Sequence, residues 1–262
     1  MRLSIEEVEP GVKRLRMRSW RGAIVGYDVS AYLLDDVLVD TGFARGGRTL
    51  RKAIEAVQPR GVIVTHWHED HAGSAPALAA QGVPMVMHAE CEALLREQPA
   101  IRFYRRQVWG HTPPLRAPLA EFDVAPLQLV ETPGHSADHL VVWDAERRVL
   151  ASADLFLGVK VRIAHEEEES PRTLVASLRR AAALEPRLLL DAHRGPVRDA
   201  AAQLRAKADW NEEQIGAIER LHAEGAEAAE IVRRLFGGES LVGWVSGLEY
   251  SRRGFVRAVL RE

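Results

Sequence analysis

Thr65-His66-Trp67-His68-Glu69-Asp70-His71-Ala72-Gly73 follows the apolar run Gly61-Val62-Ile63-Val64, and together they read as a buried strand ending in a metal site. Three histidines and an aspartate so close together exceed what packing alone asks for. In an extended segment His66 and His68 are two apart and point the same way. Asp70 and His71 lie past the turn, where the chain enters 72–80, and point elsewhere. That divergence suits two metals better than one. The bland alternative is a histidine-rich surface loop, because short ligand-like motifs arise by chance.

Upstream, residues 5–40 are short and strand-like, with turn signals at Glu9-Pro10-Gly11, Arg21-Gly22 and Asp35-Asp36. They predict an antiparallel meander feeding Val37-Leu38-Val39, which ends in Asp40-Thr41-Gly42. Asp40 is either a carboxylate that orients a ligand or a turn former. Leu50, Ile54 and Val57 recur at helical spacing, and Gln58-Pro59-Arg60-Gly61 stops that helix before the strand 62–64. Downstream come a helix over 72–81, a strand over 84–87 and a helix over 89–97. Strands alternating with helices predict a sheet covered by helices, with function gathered at strand ends.

Residues 98–122 break the rhythm with Arg102-Phe103-Tyr104-Arg105-Arg106 and Val108-Trp109-Gly110. An irregular insertion rich in arginine and aromatics carries function more often than core, although a solvated loop pinned by its aromatics fits equally. Strands resume at 127–130, 139–143 and 149–153, and the stretch Thr132-Pro133-Gly134-His135 separates the first two. The third ends in Ala153-Asp154. The acidic run 166–169 precedes Ser170-Pro171, a cap and first helical position, so those charges are expected to face water at a helix N-terminus. After that helix, the strand 187–190 ends in Asp191-Ala192-His193. From Val197 strands give way to helices over about 198–223, 226–236 and 251–260, the last capped by Ser251. These readings divide the chain into 1–197 and a helical extension, 198–262.

Charged residues make up 27% of the 262 residues, hydrophobic ones 47%, and the formal net charge is -2, values of an ordinary globular protein. With 35 basic against 37 acidic residues there is no global electrostatic reason to expect nucleic acid. The lone Cys91 permits no internal disulfide and fits a small buried helix residue. Acidic residues stand near the N-terminus where a signal peptide has its apolar core, and no run approaches the roughly 18 apolar residues of a membrane span. A cytoplasmic location is expected.

Three later strand ends thus offer His135, Asp154 and His193 beside His66, His68, Asp70 and His71. All are nitrogen or oxygen donors, suited to zinc, with iron and manganese as alternatives. Five of the ten histidines are used; His88, His111, His139, His165 and His222 are expected at the surface or behind ligands. The pattern resembles the metallo-β-lactamase superfamily on its glyoxalase II-like side. The family's His-x-His-x-Asp-His motif falls on His66 to His71, its strand-end aspartate on Asp40 and its Pro-Gly-His element on Pro133-Gly134-His135. Its bridging aspartate falls on Asp154 and its last histidine on His193.

The resemblance implies an α/β fold, an αββα sandwich with the metals at one edge. It implies that His66, His68 and His135 bind one divalent metal, Asp70, His71 and His193 a second, and that Asp154 bridges them. Two such ions, less two aspartates and a hydroxide, leave a centre of net charge about +1, able to polarise a carbonyl and to give hydroxide near pH 7. The hydroxide would attack, the metals would stabilise the oxyanion, Asp70 would orient it or handle the proton, and Asp40 would orient a ligand histidine. Two departures stand out: Ala153 and Ala192 replace glycines common in the family, each requiring a backbone angle that alanine tolerates.

The expected activity is dinuclear hydrolysis of a thioester, ester or lactone. Arg102, Arg105, Arg106 and Lys160 would receive an anionic part of a small substrate, and Trp67, Tyr104 and Trp109 would form an apolar wall. A mononuclear iron persulfide dioxygenase is the alternative, a metal-dependent nuclease a weaker one, and a catalytically dead scaffold weaker still. In the extension Trp210, Trp244, Tyr250 and Phe255 line a channel or dock helices. Gly243-Trp244-Val245-Ser246-Gly247 would equally serve a homodimer contact.

Overall fold

The computed structural model describes residues 2–20 and 28–262, so the turn expected at Arg21-Gly22 lies outside the described residues. The described chain forms two compact units. The first comprises Met1–Glu131, Asp138–Asp154 and Arg187–Arg198; the second comprises Thr132–Ala137, Leu155–Pro186 and Asp199–Glu262.

The first unit contains two sheets. One has six strands in sequence order: β1 (Arg2–Glu9), β2 (Val12–Arg18), β3 (Val29–Leu34), β4 (Val37–Val39), β5 (Gly61–Val64) and β6 (Met85–Met87). β1 to β4 pair antiparallel, with turns at Pro10-Gly11 and Asp35-Asp36. β4, β5 and β6 are parallel, their crossovers carrying helix α1 (Gly47–Val57) and the short helix α2 (Ala75–Ala79). The second sheet holds β7 (Gln128–Glu131), β8 (Leu140–Asp144), β9 (Val149–Ala153), β10 (Leu188–Asp191) and β11 (Gly195–Arg198). Its order is β11-β10-β9-β8-β7, and only β9 and β10 run parallel.

Period-two alternation decides which face each residue covers. Val37, Val39 and Ile63 point into a core shared with Leu140, Val142, Val149, Leu188 and Leu190 of the second sheet. Leu38, Val62 and Val64 point the other way, onto Leu50 and Ile54 of α1, Leu78 of α2, and Cys91 and Leu95 of helix α3 (Ala89–Glu97). Both faces of β4 and β5 are therefore buried, which is why these strands read as unbroken apolar runs. Cys91 is fully buried, as expected.

The helix expected over 72–81 contracts to α2, because residues 68–75 are taken up by tight turns, with Ala72 N donating to His68 O and Ala75 N to Ala72 O. The insertion 98–122 is not wholly irregular. Helix α4 (Phe103–Trp109) lies within it, and Arg105 is its buried residue.

The second unit is mostly helical: α5 (Pro171–Ala183), α6 (Ala200–Ala223), α7 (Ala228–Phe236), α8 (Leu241–Val245) and α9 (Arg252–Arg261). Ser170 accepts from Thr173 N and Ser251 from Gly254 N, the two caps read from sequence. Arg179 of α5 reaches Asp209 and Glu212 of α6, at 2.5 and 2.8 Å, and the Trp210 and Phe255 rings stack 6.3 Å apart. Strand does not vanish after Val197: Tyr250–Ser251 pairs antiparallel with Ala164–His165. Among the described residues no helix is long and apolar enough to cross a membrane.

Candidate metal centre

Three strand ends of the first unit carry donors, and a fourth carries their support, Asp40. β5 leads straight into Thr65, and residues 65–76 are all buried. His66 and His68 lie on the extended part. The chain then turns, with His71 N donating to His68 O at 3.0 Å, and the His71 ring comes to lie 4.1 Å from that of His66. Asp40, directly after β4, fixes this loop. Its carboxylate accepts from Thr65 N at 2.9 Å and Thr65 Oγ1 at 2.8 Å, and His71 Nδ1 lies 2.7 Å from Oδ2. Thr41 donates from both N and Oγ1 to His71 O, at 2.7 and 2.8 Å. With Nδ1 donating to Asp40, the lone pair of His71 is left on Nε2.

Asp154 follows β9, and His193 follows β10. Asp191 accepts from His193 N at 2.7 Å and Arg194 N at 2.8 Å, shaping the turn, while His193 Nδ1 meets Asp28 O at 2.8 Å. The His193 ring is thereby aimed with Nε2 at Asp154 Oδ1, 3.2 Å away, and at Asp70 Oδ2, 3.5 Å away. His71 Nε2 also lies 3.2 Å from Asp154 Oδ1. Ligand atoms of His66, His68 and Asp154 lie within 4.8 Å of one another, as do those of Asp70, His71 and His193.

The electrostatics follow from this packing in the absence of an ion. Burial, with His71, His68 and His139 close by, holds His66 well below its ordinary value, so its ring is neutral and able to ligate. Burial is the largest single influence on His71 and His193 and opposes their charge, but Asp154, together with Asp40 and Asp70 at His71 and with Asp70 at His193, outweighs it. His71 is raised well above the usual histidine range, and His193 rises to about 9. Burial works against ionisation of Asp154, yet His71 and His193 hold it well below the usual carboxylate range. A carboxylate flanked by buried imidazoles is a donor set that could hold a cation. His71 Nε2 is buried, with Asp154 Oδ1 3.2 Å away.

Several supporting residues carried no local signal. Asp138 accepts Trp67 N at 2.8 Å, between two ligands. His139 is buried with its ring 5.0 Å from that of His66, its Nε2 accepting from Asp154 N at 3.3 Å; burial lowers its pKa to about 3. Glu69 is ion-paired with Arg105 at 2.6 Å. These partners come from distant positions, and only an alignment or a structure brings them together. One expectation is corrected: Ala153 sits at φ +42, in the left-handed region that alanine disfavours, rather than at an angle it tolerates.

His135 lies in the short segment 132–137 of the second unit, buried, its Nδ1 3.9 Å from Glu169 Oε1. Its loop is anchored within that unit by Ser170 N donating to Gly134 O and Ser177 Oγ to Pro133 O. Glu169, expected to face water, instead accepts from His165 N at 3.1 Å. Of the residues expected at the substrate, Trp67 is buried in the core, and Trp109 packs on Phe43 with centroids 5.5 Å apart. Tyr104 is half-buried, Arg105 is held by Glu69, and Arg102, Arg106 and Lys160 are exposed.

The chain is similar in sequence and in fold to known proteins. A Bacillus subtilis protein named probable metallo-hydrolase YybB is 33% identical over 132 residues, covering 48% of this chain and 60% of the relative. The lactamase-like protein adaB of Aspergillus niger is 26% identical over 227 residues, covering 77% and 64% respectively. The chain thus spans less than two thirds of each of these relatives. Among solved structures, the metallo-beta-lactamase family protein TTHA1429 of Thermus thermophilus superposes with a TM-score of 0.69 at 21% identity, over 97% of this chain and 92% of that one. The DIM-1 metallo-beta-lactamase exposed to ceftazidime gives 0.65 at 19% identity, over 81% and 98%. These likenesses show the fold. The sequence profile described as the metallo-beta-lactamase superfamily matches residues 25–210, which include every ligand position above, and the chain therefore belongs to that superfamily.

Proposed function

We propose that this chain is a dinuclear metal-dependent hydrolase of the glyoxalase II-like kind, acting on a small thioester, ester or lactone. The observation that carries the reading is the place of Asp154. It belongs with His66 and His68 in one donor group, and its Oδ1 stands 3.2 Å from both His71 and His193 of the other. A carboxylate that groups with one set of donors and also faces the histidines of the other suits two neighbouring cations.

In this reading His66, His68 and His135 hold one ion, Asp70, His71 and His193 the other, and Asp154 serves both. Zinc suits the donors best. When bound, two such ions supply Lewis acidity and a water molecule acidic enough to ionise near pH 7. The chain's own contribution is positional. Asp40 fixes the ring of His71 through Nδ1, and the carbonyl of Asp28 fixes His193 in the same way. Asp70, whose Oδ2 faces His193 Nε2, is the carboxylate that takes up a proton as the scissile bond is attacked and returns it to the leaving group. The buried loop 65–76 keeps bulk water from these groups.

Metal content of the purified protein, measured by mass spectrometry alongside a hydrolysis screen of thioesters, esters, lactones and phosphodiesters, tests the proposal. Two zinc ions per chain with carboxylic-ester or thioester turnover is the expected result. One iron per chain with thiol-dependent oxygen uptake would replace the hydrolase with a persulfide dioxygenase, and turnover confined to phosphodiesters would replace it with a nuclease.

A further inference from the structure

The two variable positions inside the motif, Trp67 and Glu69, are both touched by one side chain from outside it. Arg105 of α4 donates from Nη2 to Glu69 Oε2 at 2.6 Å, and its guanidinium lies 5.7 Å from the centre of the Trp67 ring. The ion pair is deeply buried, each side chain 5% exposed. Glu69 stands between His68 and Asp70, one donor from each group, and Trp67 stands between His66 and His68. The other side of the loop leaves no slack. A Cβ on Gly73 would fall 2.2 Å from Glu69 O, and Trp67 N is tied to Asp138.

A buried ion pair is a poor way to gain stability, since desolvating two charges offsets most of their attraction and an apolar pair of similar volume serves as well or better. What it does provide is a fixed orientation, because one nitrogen of the planar guanidinium holds Glu69 Oε2 while the group lies beside the Trp67 ring, a placement the flexible ammonium of lysine does not reproduce. We propose that Arg105 and Glu69 are positioning residues for the metal centre. The pair sets the spacing between the two halves of the motif, so that His66 and His68 on one side and Asp70 and His71 on the other address two ions at once. Helix α4 is then the rigid support against which the metal loop is clamped. The inference rests on the metal-centre reading and not on the reaction proposed for it.

Zinc alone is the probe, its affinity read by competition with a chromophoric chelator, and thermal melting is followed in parallel. Glu69→Leu combined with Arg105→Met removes both charges without leaving either buried alone. The double variant is expected to melt within a few degrees of the parent while the weaker of its two zinc sites loses about 10- to 100-fold in affinity, the range typical when a ligand's support is removed. Arg105→Lys, which keeps the charge balanced but not the planar fork, is expected to lose more than twofold and less than tenfold. A folded double variant with parental zinc affinities overturns the proposal, as does a loss confined to substrate KM, which would make Arg105 a substrate contact. Should the double variant fail to fold, Arg105→Lys with affinities within twofold of the parent overturns it. A parent that takes up no zinc overturns both this inference and the metal centre, whereas zinc uptake without hydrolysis refutes only the proposed reaction.

Discussion

Replacing Asp154 by asparagine removes one charge and leaves the side chain's shape. In the metal-stripped protein its effect is read at His193, 3.2 Å away, which rises from 6.5 to about 9 although burial works in the opposite direction. That rise corresponds to about 3 kcal/mol in favour of the imidazolium, and Asp154 is its largest favourable source. With the carboxylate gone, Asp70 remains 3.5 Å away but burial has the upper hand, so His193 should titrate well below 9. Nitrogen-15 NMR of the ring nitrogens across pH 5 to 10 measures this directly. On the proposed reading the same variant should lose metal from both donor groups, because Asp154 groups with His66 and His68 and also stands 3.2 Å from His71 and His193, whereas Asp70→Asn should affect the second group alone. Taking the 10- to 100-fold cost of removing a ligand's support as a lower bound, loss of the shared ligand should weaken zinc by about 100-fold or more. Asp154→Asn protein in which His193 still titrates near 9, or which retains two zinc ions per chain, would refute the assignment of Asp154 as the shared carboxylate.

Asp40→Ala strips Thr65 and His71 of their acceptor inside the core; we expect about 2–4 kcal/mol lost in urea unfolding and zinc binding weakened about 10- to 100-fold in chelator competition. Because His193 is raised in the folded, metal-free protein, its contribution to stability is complete below pH 6.5 and disappears as pH rises through about 9, so the metal-free melting temperature should fall over that interval. Zinc must displace the same proton, so its affinity should climb over that interval, with proton release visible by calorimetry in buffers of different ionisation enthalpy. Gly134→Ala should cost more than about 2 kcal/mol in denaturant unfolding, since φ is +132 there and the new methyl would fall 2.4 Å from Leu174 N; a change under about 0.5 kcal/mol would mean the loop shifts freely.

The donors were legible in the sequence because each stands at the end of a strand whose apolar run is visible, and because metal ligation demands a few residue types at short spacing. Val62, Ile63 and Val64 predicted β5, and His66 to His71 followed from where it stops. The supports were not legible for the opposite reason. Asp138 is 71 residues from Trp67 and Arg105 is 36 from Glu69, so neither pairing leaves a local pattern. Arg105 also sits beside Arg102 and Arg106, and a run of arginines reads as a solvated, ligand-facing surface until one of them is found turned inward. The division after Val197 had a similar limit. Composition changes there, but compactness groups the tail with 155–186, because α5 packs on α6 and the sheets claim only the strands between.

Backbone strain identifies the part of the site that local sequence rules describe least well. Asp40 adopts φ +66 and Ala153 φ +42, both left-handed, each costing about 1–2 kcal/mol for a residue with a side chain. Of the ten left-handed residues other than glycine among the described residues, these two adjoin the donors. Asp40 holds His71 and Thr65, and Ala153 immediately precedes Asp154, whose Oδ1 lies 3.2 Å from Nε2 of both His71 and His193. An extended residue at 153 would carry the next side chain onward along β9 and away from the donors; the left-handed step ends the strand and turns Asp154 toward them. Glycine would make that step without strain, and alanine makes it under constraint from a strand paired on both sides, with β8 and β10. The strain is therefore held by the sheet and located where the donor groups meet, consistent with a site whose geometry is imposed by the fold before any ion arrives.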